Sequence, residues 1–186
     1  AGNPCDRCIP HLQSSKGLYQ TMIKILFICH GNICRSAAAE MIMASMISQK
    51  GLSEAVKVDS AATSTEEIGN DIYPPMKRTL ASHGVPCLPH RARRMRREDY
   101  DGYDLLIGMD EENIEHMLWV VGNDPERKIH LLLEYAGQPG CEISDPWYTR
   151  DFEMAYRDIL RGCEGLLRRL ESTLRVTQKV TGGDKE

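Results

Sequence analysis

The chain has 186 residues, a formal net charge of −4 and 41% hydrophobic residues. This length favours one domain with a proper core, and the modest negative charge argues against a nucleic-acid-binding protein. No apolar run approaches the roughly 20 residues that span a bilayer, which argues against a membrane protein. Seven cysteines, an odd number, favour reduced thiols and a cytoplasmic location over a disulfide framework.

The first 21 residues are polar and lack the apolar centre of a signal peptide. Cys5 and Cys8, with His11, have the spacing of half a zinc site, but no second pair of ligands follows nearby. We therefore interpret residues 1–21 as a leader or tag-like tail without regular structure, and we predict no metal site. The predicted folded domain covers residues 22–174.

A buried strand is predicted at residues 23–28, because the run Ile-Lys-Ile-Leu-Phe-Ile is nearly all apolar. A helix is predicted from Ser36, with good helix formers and its apolar side chains on one stripe. The short turn between the two elements points its backbone N–H groups at one spot, where the positive end of the helix dipole also lies. Such a turn binds an anion.

This turn begins with a thiol and ends with an arginine and a serine. Cys29 is a candidate nucleophile, because the positive potential of the turn stabilises its thiolate. Arg35 can bind two oxygens of a phosphate through its planar guanidinium, and Ser36 can donate a hydrogen bond to the thiolate. The predicted phosphate-binding loop consists of His30, Gly31, Asn32, Ile33, Cys34, Arg35 and Ser36.

Three further strands alternate with helices along the rest of the chain. The strands are predicted at 56–59, 103–109 and 129–133, and the helices at 74–82, 111–121 and 151–174. This alternation predicts a three-layer α/β fold, in which helices cover both faces of a four-stranded parallel, doubly wound sheet of order 2-1-3-4. The segment 134–150 is predicted as a long functional loop, and residues 175–186 as a polar tail.

Residues 27–36, Phe-Ile-Cys-His-Gly-Asn-Ile-Cys-Arg-Ser, resemble the signature loop of the low-molecular-weight protein tyrosine phosphatases. The second motif of that family, Asp-Pro followed by aromatic residues, is matched by Asp145-Pro146-Trp147-Tyr148. The resemblance extends over roughly residues 22–170. It implies a phosphocysteine intermediate on Cys29, with Asp145 as general acid and then general base. Without the upstream loop, Asp145 would be read as part of an ordinary Asp-Pro turn.

The resemblance also implies supporting roles for three residues outside the loop. Ser60 would hydrogen-bond into the loop, whereas by sequence alone it is an ordinary turn residue. His90 would brace the loop through Asn32 or Ser36. Asp110 would hold the loop arginine in place and also cap the helix that follows it.

Substrate choice depends on four side chains. Ile33 is apolar, whereas the branch of the family that dephosphorylates arginine typically has Thr in this position. Trp147 and Tyr148 can form an aromatic wall against a phenyl ring, so these features favour phosphotyrosine. Glu66 replaces an aromatic residue found in many members, which predicts an incomplete wall and a weaker grip on small aryl phosphates.

Two further features have alternative interpretations. Cys34, five residues after Cys29, is either a small buried residue or a redox partner that forms a reversible disulfide with the nucleophile. Five arginines between Arg91 and Arg97 favour a solvated basic face, with attraction of phosphorylated partners as the alternative.

Two other functions fit part of the pattern. Thiol-dependent arsenate reduction uses the same fold and loop, but it requires an additional pair of redox cysteines where this chain has only Cys87. A non-catalytic phosphate-binding module fits the loop, but it would not need Cys29 together with Asp145. The resemblance implies no cofactor, a phosphotyrosine-containing protein as partner, inorganic phosphate as product and inhibitor, no nucleic acid or membrane, and a monomer or weak dimer.

Overall fold

The computed structural model describes residues 22–181, with side chains as far as Arg175. The expectations for residues 1–21, including the group of Cys5, Cys8 and His11, lie outside the described residues. The same holds for the end of the predicted polar tail.

Four strands form one parallel sheet, as the alternation of strands and helices predicts. They are β1 (Ile23–Cys29), β2 (Val56–Ala62), β3 (Leu105–Gly108) and β4 (Ile129–Leu131). Their order is β2-β1-β3-β4, and every pairing is parallel. The predicted α/β class and strand order are therefore confirmed.

Six α-helices and one 3₁₀ helix connect or follow these strands in the described part of the chain. The α-helices are α1 (Arg35–Gln49), α2 (Pro74–Ser82), α3 (Asp99–Gly102), α4 (Glu111–Val121), α5 (Pro146–Thr149) and α6 (Phe152–Thr181). The 3₁₀ helix spans Leu132–Ala136. None of the described helices is long and apolar enough to cross a bilayer.

The central strand β1 is buried on both faces, which explains its almost continuous apolar sequence. Ile25 and Phe27 belong to a core cluster with side chains of α1 and α6. Leu26 and Ile28 belong to a second cluster with side chains of α4, on the opposite face, because successive side chains of a strand alternate. The four residues that follow Lys24 in β1 are therefore fully buried.

Several element boundaries differ from the predictions. β2 continues to Ala62 because it pairs with β1 along its whole length, as far as Cys29. Strand β4 stops at Leu131, since the two buried leucines after it already lie in the 3₁₀ helix. Helix α6 continues to Thr181, beyond the predicted end at residue 174.

The predicted long loop at 134–150 is partly ordered into secondary structure, with the end of the 3₁₀ helix on one side and α5 on the other. The 3₁₀ helix packs very closely on α6. A Cβ atom at Gly165 would lie 2.0 Å from the backbone oxygen of Tyr135, so only glycine fits there. This contact fixes the beginning of the segment that leads to Asp145.

The fold brings the ends of the parallel strands to one edge of the sheet. The segments that follow β1, β2 and β3 there begin at His30, Thr63 and Met109. Ligands of doubly wound sheets bind at this edge, beside the strand where the order reverses, which here is β1.

Candidate active site

The loop between β1 and α1 has the properties of an anion site. Among the described residues, the backbone N–H groups of residues 31–35 donate no hydrogen bond to another group of the protein. Buried backbone donors normally have a partner, and most of this loop is buried. The loop therefore offers a set of free donors at the beginning of a 15-residue helix, where the dipole also favours negative charge.

Asn32 determines the course of this loop. Its backbone is left-handed, with φ of 58°, and its side chain is completely buried. The amide nitrogen donates to Ser36 Oγ at 2.9 Å and to Ser60 Oγ at 2.7 Å. The amide oxygen accepts from the backbone N–H of Arg93 at 3.1 Å. These bonds hold a conformation that costs a non-glycine residue free energy.

A second layer of side chains supports the loop from behind. The ring of His90 contacts the backbone oxygen of Asn32, with 2.7 Å between Nε2 and O. Of the two contacts that the resemblance left open, the structure has the one to Asn32. Glu40 of α1 accepts a hydrogen bond from Ser60 and lies 3.8 Å from His90 Nδ1. Burial raises the pKa of Glu40, although the Ser60 hydroxyl and His90 oppose the shift.

Glu40 is a supporting residue that sequence reasoning missed. It follows Ser36 by four positions, so the two side chains lie on the same face of α1. That spacing, on the helix that begins at the loop, is the signal that could have indicated it.

Cys29, at the end of β1, is buried and lies at the base of the loop. Its Sγ atom is 3.0 Å from Ser36 Oγ, close enough for the hydroxyl to donate to a thiolate. Ser36 thus connects the candidate nucleophile with the Asn32 side chain in one hydrogen-bond chain.

Arg35, the first residue of α1, is almost completely buried and lies between two carboxylates. Nη1 donates to Asp110 at 2.5 Å and to the Ile143 carbonyl at 2.9 Å, while Nη2 donates to Asp145 at 2.8 Å. Burial lowers the pKa of the Arg35 guanidinium, but the negative charges of Cys29 and Asp145 raise it, and the net shift is upward. The charge on Arg35 is therefore permanent.

The two carboxylates that contact Arg35 are themselves fixed by helix N-termini. Asp110 accepts a hydrogen bond from the Asn113 N–H and so caps α4, as predicted from its position. Asp145 caps the short helix α5 by accepting from the Trp147 N–H at 2.9 Å through Oδ1. Its other oxygen, Oδ2, is the one that contacts Arg35.

A cleft of ≈ 360 Å³ opens above the loop. It is lined by Cys29, His30, Gly31, Ile33, Cys34, Arg35, Glu66, Glu67, Asp110, Glu112, Asp145, Trp147 and Tyr148. The aromatic side consists of Trp147 and Tyr148, which are 44% and 82% exposed. Tyr73 supports Trp147 from behind, with 5.3 Å between the ring centroids.

Acidic side chains line the cleft as well. Glu66 lies at the mouth, where its Oε2 is 3.1 Å from His30 Nε2. The adjacent Glu67 lies against the loop, because a Cβ atom at Gly31 would be 3.2 Å from its Cγ. The sequence analysis indicated Glu66, because many family members have an aromatic residue at that position. It gave no comparable signal for Glu67 or Glu112.

Cys34 is buried and lines the same cleft as Cys29. Burial, together with the negative charges of Cys29 and Asp145, raises the pKa of the Cys34 thiol to about 12. Cys34 is therefore protonated at neutral pH.

The structure brings all of the predicted site residues to one edge of the sheet. The arginines at 91–97 do not line the cleft; Arg93 pairs with Asp99 at 2.9 Å and Arg97 donates to the Val121 carbonyl. In the described part of the chain, no group of three or more His, Cys, Asp or Glu side chains is arranged to hold a metal ion.

The fold and the loop together define a doubly wound α/β protein with a cysteine-containing phosphate loop. Residues 24–177 match the family model for low molecular weight phosphotyrosine protein phosphatase. The chain belongs to this family.

Two relatives represent the similarity in sequence. The low molecular weight protein-tyrosine-phosphatase YfkJ of Bacillus subtilis is 37% identical over 147 residues, covering 78% of this chain and 94% of that protein. The low molecular weight phosphotyrosine protein phosphatase of Homo sapiens is 37% identical over 155 residues, covering 80% of this chain and 96% of that protein.

Two solved structures represent the similarity in fold. The crystal structure of YfkJ matches with a TM-score of 0.79 at 35% identity, covering 82% of this chain and 97% of that one. A drosophila arginine phosphatase matches with a TM-score of 0.70 at 30% identity, covering 80% of this chain and 98% of that one.

Replacement of Asn32 tests its role in shaping the loop. We expect Asn32→Ala to lower the free energy of unfolding by about 2–4 kcal/mol, because it removes three hydrogen bonds and leaves a Cβ-bearing residue with a left-handed backbone. Asn32→Gly should be less destabilised, since glycine adopts that backbone without strain. Urea unfolding of both variants measures the difference. A glycine variant less stable than the alanine variant would contradict this role of the backbone.

Proposed function

We propose that this protein is a protein tyrosine phosphatase that hydrolyses phosphotyrosine through a phosphocysteine intermediate on Cys29. The observation that supports it most is the convergence of Cys29, Arg35 and Asp145 on one loop of free backbone donors. A thiolate nucleophile, an anion cradle and a proton donor are the groups that phosphate ester cleavage by this route requires. The named activity of the relatives points the same way.

The first step transfers the phosphoryl group to the enzyme. The phosphate lies in the loop, where the N–H groups and Arg35 balance its charge. The Cys29 thiolate attacks phosphorus in line, and the bond between phosphorus and the tyrosine oxygen breaks. Asp145 gives its proton to that oxygen. Oδ1 is bound to the Trp147 N–H, so we assign the proton to Oδ2, which becomes free when Arg35 Nη2 turns from it to the phosphate.

The second step frees the enzyme. Asp145, now ionised, takes a proton from a water molecule that attacks the phosphocysteine, so inorganic phosphate leaves and the thiolate returns. Because phosphate fits the same loop, we expect it to inhibit as well as to be released. Asp110 holds Arg35 through Nη1. Nη2 can therefore exchange its hydrogen bond with Asp145 for one with the phosphate. The charge stabilisation that a metal supplies elsewhere comes here from Arg35 and the loop, so we propose a reaction without a metal or other cofactor.

The walls of the cleft support phosphotyrosine as the substrate. Trp147 and Tyr148 present aromatic surface to the phenyl ring, and Ile33 adds an apolar side chain beside the loop. The alternative substrate is phosphoarginine, and the structural likeness to a drosophila arginine phosphatase is the observation that favours it. Arsenate reduction has less support, because Cys87 is a free cysteine and none of the described cysteines forms a second redox pair with it.

We also propose that Cys34 protects the nucleophile from irreversible oxidation. Hydrogen peroxide would oxidise the Cys29 thiolate to a sulfenic acid with release of hydroxide. The Cys34 thiol would then condense with the sulfenic acid to form a disulfide and release water, and an added dithiol would reduce that disulfide. Since Cys34 is protonated at neutral pH, Cys29 is the thiol that reacts first with peroxide.

We propose a cytoplasmic location for this protein, on the basis of its cysteines. All five described cysteines are free, which is consistent with a reducing, cytoplasmic location. We propose a phosphotyrosine-containing protein as the partner, and a monomer or weak dimer as the active form.

The catalytic roles can be tested with two leaving groups. We expect Cys29→Ser to abolish turnover, and Asp145→Asn to slow phosphotyrosine hydrolysis roughly 10²–10⁴-fold, because the leaving oxygen then departs without a proton. The loss should be smaller with p-nitrophenyl phosphate, whose leaving group needs less protonation. Asp101→Asn, at an exposed position of α3, is the matched control and should behave like wild type. Equal losses with both substrates would contradict the role of Asp145 as general acid.

Substrate choice can be tested by comparing phosphotyrosine with phosphoarginine. Wild type should prefer phosphotyrosine, and Ile33→Thr should shift the ratio of kcat/KM toward phosphoarginine, because it replaces apolar surface with a hydroxyl. Leu88→Thr, at an exposed position outside the cleft, controls for a loss of apolar surface as such. A wild-type preference for phosphoarginine would overturn the substrate assignment and leave the proposed chemistry intact.

The protective role of Cys34 can be tested by oxidation and recovery. After brief treatment with peroxide and then a dithiol, wild type should regain most of its phosphatase activity. Cys34→Ala should regain less, because its sulfenic acid has no thiol to condense with. Cys141→Ala removes an exposed cysteine and should recover like wild type. Equal recovery of all three proteins would exclude this role.

A further inference from the structure

The charges that line the cleft are arranged in two layers. Five carboxylates line it, and Arg35 is the only arginine or lysine among its described residues. Arg35 lies at the base, where Asp110 and Asp145 already contact it. The outer layer consists of Glu66, Glu67 and Glu112.

The outer glutamates have few cationic partners among the described residues. Glu66 has one ion-pair partner, His30, which is charged only when its ring is protonated, and the Glu66 side chain is 70% exposed. Glu67 accepts a hydrogen bond from Asn70, which is neutral. Glu112 is exposed in the first turn of α4, where the helix dipole favours a negative side chain. Arg150 packs on the ring of Trp147 and does not line the cleft.

This arrangement has a consequence for a phosphorylated protein. A cleft of ≈ 360 Å³ accommodates little more than the phosphorylated side chain, so the neighbouring residues of the substrate lie at the mouth. There they meet a negative field, which repels acidic neighbours and attracts Lys and Arg. The phosphate itself is recognised at the positive base, so the mouth is free to select by sequence.

We propose that Glu66, Glu67 and Glu112 select phosphotyrosine segments in which Lys or Arg is next to the phosphorylated residue. Glu66 contributes most, because it is at the mouth and can exchange His30 for a cationic side chain of the substrate. The inference rests on the proposed function and specifies its substrate class.

The experiment uses the full-length enzyme and three phosphotyrosine peptides that differ only in the residues on either side of the tyrosine. These flanking residues are Lys, Gln or Glu. At low ionic strength we expect kcat/KM to follow the order Lys, Gln, Glu, with roughly a tenfold or greater difference between the extremes. At about 1 M salt, where the Debye length is about 3 Å, the difference should largely disappear. p-Nitrophenyl phosphate, which has no flanking residues, is the reference substrate.

Single and double variants test whether the preference for Lys-flanked peptides comes from the glutamates of the cleft. Glu66→Gln should reduce the ratio of kcat/KM for the Lys peptide over the Glu peptide several-fold, and the Glu66→Gln, Glu112→Gln double variant should reduce it further. Glu164→Gln removes a negative charge from the exposed side of α6 and should leave that ratio unchanged. The net-charge change of Glu66→Gln and Glu164→Gln is the same, so only position distinguishes them.

The outcomes separate this inference from the proposed function. Equal rates on all three peptides, a preference for the Glu peptide, or a ratio that Glu66→Gln does not change would each overturn the inference while phosphotyrosine hydrolysis stands. If p-nitrophenyl phosphate and all peptides resist hydrolysis, the proposed function fails and the inference falls with it.

Discussion

The left-handed backbone of one buried residue, Asn32, is the constraint on which the phosphate loop depends. Five residues, 30–34, have to turn the chain from a strand into a helix, and one of them must leave the conformations that side chains prefer. Asparagine tolerates this better than most residues, and here Ser36, Ser60 and the Arg93 N–H bind its side chain. Because these partners satisfy the side chain, the loop N–H groups remain free for an anion. The strained backbone of Asn32 and the free N–H groups of the loop thus result from the same set of hydrogen bonds.

A second constraint is the burial of a permanent positive charge. An arginine as enclosed as Arg35 requires negative partners, and Asp110 and Asp145 supply them. Both carboxylates are in turn held by helix N-termini, so the base of the cleft is rigid before any phosphate arrives. An entering phosphate takes over part of the role of Asp145 as partner of the guanidinium. The same exchange gives Asp145 the freedom to carry a proton, which connects structural charge balance with the proposed chemistry.

The sequence was sufficient for the features that depend on local patterns. An apolar run followed by Cys-x5-Arg-Ser indicated both β1 and the loop, and the alternation of elements indicated the sheet order. Features that depend on distant packing were not predictable in the same way. Glu40 is a supporting residue only because β2 brings Ser60 to it, and the leucines after β4 are as apolar in a 3₁₀ helix as in a strand. Asp110 lay between these cases, since its capping role was local and its contact with Arg35 was not.

In the proposed selection of substrates, the two layers of charge in the cleft recognise different parts of a substrate. The positive base binds the phosphate, and the negative outer layer meets the flanking residues. A positive base alone would bind any phosphate, including free phosphate and every acidic phosphopeptide, and would release its product slowly. An outer negative layer weakens the approach of bare anions while leaving the base intact, because solvent screens the exposed carboxylates more than the buried guanidinium. A substrate can offset that repulsion only by bringing positive charge with it. On this proposal, Glu66 stands where an aromatic side chain would hold the ring of a small aryl phosphate, and it favours discrimination among protein segments over binding of the ring.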